Sequence, residues 1–457
     1  MAKTNAKPWH QVVQLRDDIT NQELSQKQFA ADLYDVVMDV NPGVYHDPRE
    51  FFALTYPTVK LRDLARDVTH RLAGKSEKAV RQLHMTFGGG KTHSLITLVH
   101  LVNDPAGLPD IPAVQQFKAH CALEGGFPKA RVAAVVFDRL DAEMGMEVKA
   151  PDGTKAMLKM PWSLIAWQLA GEAGLKLLKQ DGTERASPPA TGVMEDLLKL
   201  ARKDVPSVLI LFDEVLWFVR VMADIDSAWI GRMREFMHSL TQAVAKVPQC
   251  CLVASLLASD VNKMDDLGKQ ISKELYDEFK RVADEGIQPV ESQDVPEILR
   301  RRMLKLESYI DKSQWPSQVV AVLNGIQAID DHTAKHRAAE EKRYEDAYPF
   351  HPALIETLYQ KWTQLEGFQQ TRGILKTLAS ALRDAVKWDK QPLISAQVFL
   401  GDPGTEGLSV AARELANVAQ LEQYEGRRQN WTAILEAELA HARKAQEGLL
   451  GVQQREI

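Results

Sequence analysis

Two hydrophobic rhythms divide the chain. Between Val80 and Val290 short apolar runs (Val80–Met85, Arg131–Phe137, Val208–Phe212, Cys250–Leu256, Ile287–Val290) alternate with stretches of helical spacing (Thr92–Val102, Trp162–Leu178, Ala190–Lys203, Ala228–Lys246, Leu267–Val282). Strands separated by helices predict βαβ units, hence an α/β domain with a largely parallel sheet and helices on both faces. Pro151-Asp152-Gly153 reads as the turn of an inserted hairpin. After Val295 no further strand pattern is expected; Pro296–Ser308, Pro316–Ile329, Pro352–Leu365, Gly373–Trp388 and the stretch from Leu408 onward all carry helical spacing. Ahead of the alternating region, 22–38 and Leu61–Leu72 predict amphipathic helices, with the aromatic segment Tyr45–Tyr56 between them. The predicted organisation is an N-terminal helical segment over 1–75, an α/β core over 76–293, an all-helical lid over 294–398 and the helical start of a further domain over 399–457. The last helix is charged and has no stop signal, so the chain reads as the front part of a longer protein.

Composition changes little in this picture. The chain has 457 residues, 45% hydrophobic and 26% charged, as a soluble globular protein of two or three domains would. A net charge of −6 gives no electrostatic reason for strong nucleic-acid binding by this chain alone. Three cysteines, Cys121, Cys250 and Cys251, make neither a disulfide nor a metal framework, and the adjacent pair reads as small core residues on opposite faces of a strand. Residues 1–10 lack the apolar stretch of a signal peptide, and the longest apolar run, Val205–Met222, is interrupted by Asp213 and Glu214. These features predict a cytoplasmic protein with no membrane partner.

The candidate chemistry sits at the ends of the predicted strands. Met85-Thr86-Phe87-Gly88-Gly89-Gly90-Lys91-Thr92-His93 joins a strand to a helix. Successive glycines let backbone N–H groups turn inward around phosphate oxygens, and the helix N-terminus adds a positive end. Gly88, Gly89, Gly90, Lys91, Thr92 and His93 therefore form the candidate nucleotide-binding set. Lys91 would reach the β- and γ-phosphates of ATP, and the Thr92 hydroxyl would help hold Mg²⁺. The standard G-x-x-x-x-G-K-[ST] spacing asks for glycine at 85, where methionine stands; Gly88 and Gly89 must supply the turning freedom. A flexible glycine-rich loop is the plainer reading. The second signal is Ser207–Glu214, five apolar residues ending in paired acids at a strand's carboxyl edge. Asp213 would position Mg²⁺ with Thr92, and Glu214 would orient and polarise the attacking water.

Three further residues complete the candidate set. Ser255 ends the next strand, where a hydroxyl either touches the γ-phosphate or the attacking water, or merely caps a turn. Arg281 closes the helix before the last predicted strand and either stabilises transition-state charge in a neighbouring subunit's site or complements the helix dipole. Arg372 opens a lid helix and either folds over the γ-phosphate, distinguishing ATP from ADP, or caps that helix. The strip Arg300-Arg301-Arg302 reads as a solvated helix surface over buried Leu299, Met303 and Leu306.

With these elements in place the chain resembles AAA+-type P-loop ATPases encoded in bacterial anti-phage defence and restriction–modification islands, a family long carried as a domain of unknown function. The resemblance covers most of the chain. It rests on Lys7-Pro8-Trp9 with Leu15-Arg16-Asp17-Asp18, on Phe29–Tyr34, Leu54–Thr58 and Thr86–His93, and then on Leu211–Glu214, Tyr348–Pro352 and Gln370–Gly373. It implies a P-loop core followed by a helical lid, ATP (with ADP as product) and Mg²⁺ as ligands, self-association into a homo-oligomer, and DNA reached through partner proteins of a defence system. It also implies a family loop written around Gly-Gly-Gly-Lys-Thr-His, which accommodates Met85, and a longer natural chain. Tyr45–Tyr56 would then either wrap back to hold the adenine or pack on the core. The expected function is Mg²⁺-dependent ATP hydrolysis driving a conformational cycle. The alternative is a nucleotide-gated switch or scaffold with little turnover; a kinase is disfavoured, because a helical lid with a sensing arginine is not a phosphoacceptor pocket.

Overall fold

The computed structural model describes the chain except residues 1–5, 22, 25–27, 30, 84–89, 256–265, 281–286, 361–370, 403, 404, 406, 420–422, 425, 426 and 451–457. It divides into two compact units. One is Ala31–Val290, and the other combines the residues up to Ala30 with Glu291–Ile457. The stretch 1–75, one segment on the sequence reading, is therefore shared between them.

The first unit is built on a parallel sheet of four strands: β1 (Val80–Leu83), β2 (Ala130–Val136), then, after a hairpin of β3 (Met146–Lys149) and β4 (Lys155–Leu158), β5 (Ser207–Asp213) and β6 (Cys250–Ser255). Their spatial order is β1-β6-β5-β2. Every residue of β5 is buried, as a central parallel strand covered on both faces requires. Alternate side chains serve different layers. Val208, Ile210 and Phe212 pack with helices Pro161–Leu178, Thr191–Ala201, Val215–Ile225, Ala228–Lys246 and Asp266–Lys280. Leu209 and Leu211 pack with helices Val59–Leu72, Lys91–Asn103 and Pro112–Cys121 on the other face. Cys250 and Cys251 follow the same period-2 rule, one in each layer, and burial pushes both thiols up to about 12.

Several expectations are corrected by local chemistry. Among the described residues of 22–38, the predicted α-helix forms at Leu33–Met38: the Asp32 carboxylate accepts from the N–H groups of Tyr34 and Asp35 and sets the start, and Asp39 at φ 58° ends it. Trp162–Leu178 is broken at Gly171, which adopts φ 57° and ψ −139°. Ile287–Val290 is not a strand; Ile287 alone makes a parallel bridge to Leu83, while the Pro289 carbonyl accepts from the Thr58 hydroxyl. Helix Val59–Leu72 fits its prediction, with Thr58 capping the Leu61 N–H and Gly74 at φ 73° just past its end.

In the second unit the N-terminal residues are part of the core. Trp9 is fully buried, its indole N–H donates to Asp389 at 2.9 Å, and Leu15 bridges to Leu304. They pack among helices Val295–Met303, Trp315–Ile326, Arg337–Ala347, Pro352–Gln360 and Thr371–Ala385. Arg300 is not a solvated cation. It is buried, donates to the carbonyls of Tyr348 and Asp346 and to Glu297, and lies over the Trp315 ring at 5.0 Å. Nor is the region after Val295 wholly helical: Gln423–Tyr424 and Arg427–Arg428 pair as a short antiparallel ribbon. Among the described residues no helix is long and apolar enough to cross a membrane.

Candidate functional site

All four parallel strands deliver their carboxyl ends to one edge of the sheet, the edge where ligands of open α/β sheets bind. Phe212 pairs with Ala254, so the next residues, Asp213 and Ser255, stand side by side on adjacent strands. Past β1, Gly90 takes φ 105°, a left-handed turn that opens helix Lys91–Asn103 and that glycine adopts without strain. Its carbonyl accepts from both the N–H and the hydroxyl of Ser94, at 2.7 and 2.6 Å. The helix is thereby aimed so that Thr92 Oγ1 donates to Asp213 Oδ2 at 2.8 Å. Gly88 and Gly89 lie outside the described residues.

Asp213 is 3% exposed, and burial raises its pKa above the ordinary carboxylate value. The Thr92 hydrogen bond and the Lys91 charge oppose that rise, and Asp138 reinforces it. The Ser255 hydroxyl is close enough to favour the ionised carboxylate. Yet neither Ser255 Oγ nor Asp213 Oδ1, both buried, has a hydrogen-bond partner of normal geometry among the described residues. A buried carboxylate with an unused oxygen beside a lysine and a threonine hydroxyl is chemically suited to a hard cation that brings its own oxygen ligands. No group of three or more His, Cys, Asp or Glu able to hold a metal occurs among the described residues.

Glu214 follows at φ 58° and ψ 42°, left-handed, half-buried, at the N-cap of helix Val215–Ile225. This conformation costs a non-glycine residue about 1–2 kcal/mol. The buried flanks Asp213 and Val215 hold it in place. His93 meets the aromatic segment: its ring stacks on Phe51 at 4.5 Å and its Nε2 meets Thr55 Oγ1 at 3.0 Å. Tyr45, Phe51 and Phe52 are buried, so the aromatic segment packs on the core. Arg281 lies outside the described residues, and so does the side chain of Arg372, whose backbone belongs to helix Thr371–Ala385. Sequence reasoning missed Asp138, which follows β2 at the same edge. The signal was available: like Asp213, it is an acid directly after a run of apolar residues.

Residues 7–294 match the family model described as the DUF499 N-terminal domain, and residues 290–397 match that of the DUF499 second domain. The chain belongs to the DUF499 family. No curated protein and no solved structure matches it. The junction of the two DUF499 stretches falls where the compact units divide, at Val290 and Glu291, although residues 7–30 of the first stretch cluster with the second unit.

The buried acid of this DUF499 site gives a stability prediction. In Asp213→Asn the amide oxygen still accepts from Thr92, its NH₂ gains Ser255 Oγ as an acceptor, and a buried charge disappears. Without nucleotide the variant is expected to melt about 2–4 °C higher, the shift that about 1 kcal/mol produces in a domain of this size. Differential scanning fluorimetry checks it; a lower melting temperature would show that the carboxylate is fully compensated in the fold.

Proposed function

We propose that this chain is a P-loop ATPase of AAA+-like build, binding ATP with Mg²⁺ at the carboxyl edge of the sheet and hydrolysing it to drive a conformational cycle. The observation that carries the reading is the 2.8 Å hydrogen bond from Thr92 to Asp213, which joins the glycine-rich turn to the acidic strand. The strand order supports it: β6, ending on Ser255, lies between β1 and β5, so a hydroxyl stands between the phosphate turn and the acids.

The division of labour follows from position. Backbone N–H groups at the start of helix Lys91–Asn103 face the phosphates, and the Lys91 ammonium offsets their charge. Thr92 and Asp213 are the residues to hold Mg²⁺, which when bound neutralises charge on the β- and γ-phosphate oxygens. The Glu214 carboxylate accepts a proton from the attacking water and orients it toward the γ-phosphorus. Ser255 contacts the same water or the γ-phosphate. Arg281 would act on a neighbouring subunit's nucleotide and Arg372 on that of its own chain. The setting we propose, from the resemblance, is a DNA-directed anti-phage defence complex, with DNA reached through partner proteins.

One observation favours a nucleotide-gated switch or scaffold instead. Trp217, Val221 and Ile225, one helical turn apart on the helix that Glu214 begins, are 57%, 37% and 65% exposed, an apolar stripe of the kind partners cover. Steady-state phosphate release with Mg²⁺ and ATP, with and without duplex DNA, separates the readings. The hydrolytic reading expects turnover, and DNA stimulation would identify a motor or loader. Tight ATP binding with no turnover under either condition would leave the switch.

A further inference from the structure

Helix Lys91–Asn103 is gripped on one side by an earlier stretch of chain. His93 and His100 are seven residues apart, two turns along the same helix face. Both meet Phe51, His93 with ring centroids at 4.5 Å and nearly parallel planes, His100 at 4.9 Å. His100 Nε2 also meets the Tyr45 carbonyl at 2.9 Å; a carbonyl only accepts, so this nitrogen carries a hydrogen. The same logic fixes His93. The Thr55 hydroxyl donates its one hydrogen to the Phe51 carbonyl at 2.7 Å and is fully buried, so His93 Nε2 must donate to it across 3.0 Å.

Successive residues of an α-helix are turned about 100° apart around its axis. Thr92 faces Asp213 at the sheet edge, and its neighbour His93 faces Thr55 and Phe51. Two adjacent side chains anchored on different walls fix the rotation of the first turn, and that rotation sets where Lys91 and Thr92 present their polar groups.

We propose that His93 is a positioning residue rather than a nucleotide ligand: through Thr55 and Phe51 it locks the first turn of helix Lys91–Asn103 in the rotation that holds Thr92 on Asp213 and Lys91 over the phosphates. The proposal rests on the ATP reading above. His100, two turns further from the phosphates, makes a comparable anchor that serves the fold alone.

Equilibrium binding of a fluorescent ATP derivative with Mg²⁺, beside melting temperatures without nucleotide, tests this. His93→Asn shortens the donor and Thr55→Val removes its acceptor; each is expected to weaken binding about tenfold, the size of one lost hydrogen bond at a preorganised site. His93→Gln, which keeps a donor near the Nε2 position, and Thr55→Ser, which keeps the hydroxyl, should retain parental affinity. His100→Gln should lower the melting temperature and leave affinity unchanged. The proposal is overturned if His93→Asn binds like the parent, if His93→Gln is as weak as His93→Asn, or if His100→Gln weakens binding equally. Lys91→Ala distinguishes the two failures. Parental binding in that variant would overturn the ATP reading and this proposal together, whereas loss in Lys91→Ala with parental binding in His93→Asn would overturn only the positioning role.

Discussion

Glu214→Gln is expected to slow ATP turnover by about a hundredfold or more while leaving ATP bound, because a neutral amide cannot take a proton from the attacking water. The change is nearly isosteric, so the expected effect is chemical. Glu214 sits in a left-handed backbone conformation between buried Asp213 and Val215, and glutamine inherits that conformation at similar cost. Thr92, Asp213 and Lys91, which would hold the nucleotide and its metal, are untouched. Single-turnover hydrolysis beside nucleotide binding makes the test specific: binding should match the parent while the chemical step is lost. Hydrolysis at the parental rate would remove Glu214 from the mechanism and shift attention to Asp138, a further acid at this edge.

The second large effect is expected far from the site, at Arg71. This guanidinium is 2% exposed and donates to the carbonyls of Val244, Ala245 and Val247 at the end of helix Ala228–Lys246, to Cys250 at the start of β6, and to Ser76. The last carbonyls of a helix have no partner within it, and here one side chain serves several at once, joining the two helical layers through the β6 end of the sheet. Arg71→Met keeps the aliphatic bulk and strands those acceptors. It should destabilise the first unit by about 3 kcal/mol or more, since each buried acceptor left unmade costs about 1–3 kcal/mol. The ion pair to Glu77 contributes little, because that carboxylate is 99% exposed. Urea unfolding followed by tryptophan fluorescence measures the loss; a midpoint within error of the parent would mean that solvent takes over these carbonyls.

What could be read from sequence was whatever is local and periodic. β5 was legible because five apolar residues in a row suit only a strand buried on both faces, and Asp213 and Glu214 because they terminate it. The same reasoning would have found Asp138 had it been applied to β2. The misreadings came where spacing continued across a chemical stop: Leu24, Phe29 and Leu33 keep a helical rhythm, yet Asp32 caps the chain in mid-pattern. Long-range partners were beyond reach. Arg300 looked solvated because the carbonyls that bury it lie 46 and 48 residues away, and Trp9 finds its acceptor 380 residues on, at Asp389. Among the candidate site residues, Lys91, Thr92, Asp213 and Ser255 lie at one edge of the sheet, with Thr92 bonded to Asp213. His93 was grouped with them only because it is adjacent in sequence, and the structure turns it toward Thr55.

On the proposed reading, the turn at Gly90 and the acids Asp213 and Glu214 at the carboxyl end of β5 form one Mg²⁺-dependent ATP site. Titration calorimetry of ATP into the purified chain, with and without Mg²⁺ and beside Lys91→Ala, tests it most directly. One site per chain is expected, tighter with Mg²⁺ and lost in the variant. Absence of binding under all conditions, or equal binding by parent and Lys91→Ala, would contradict it.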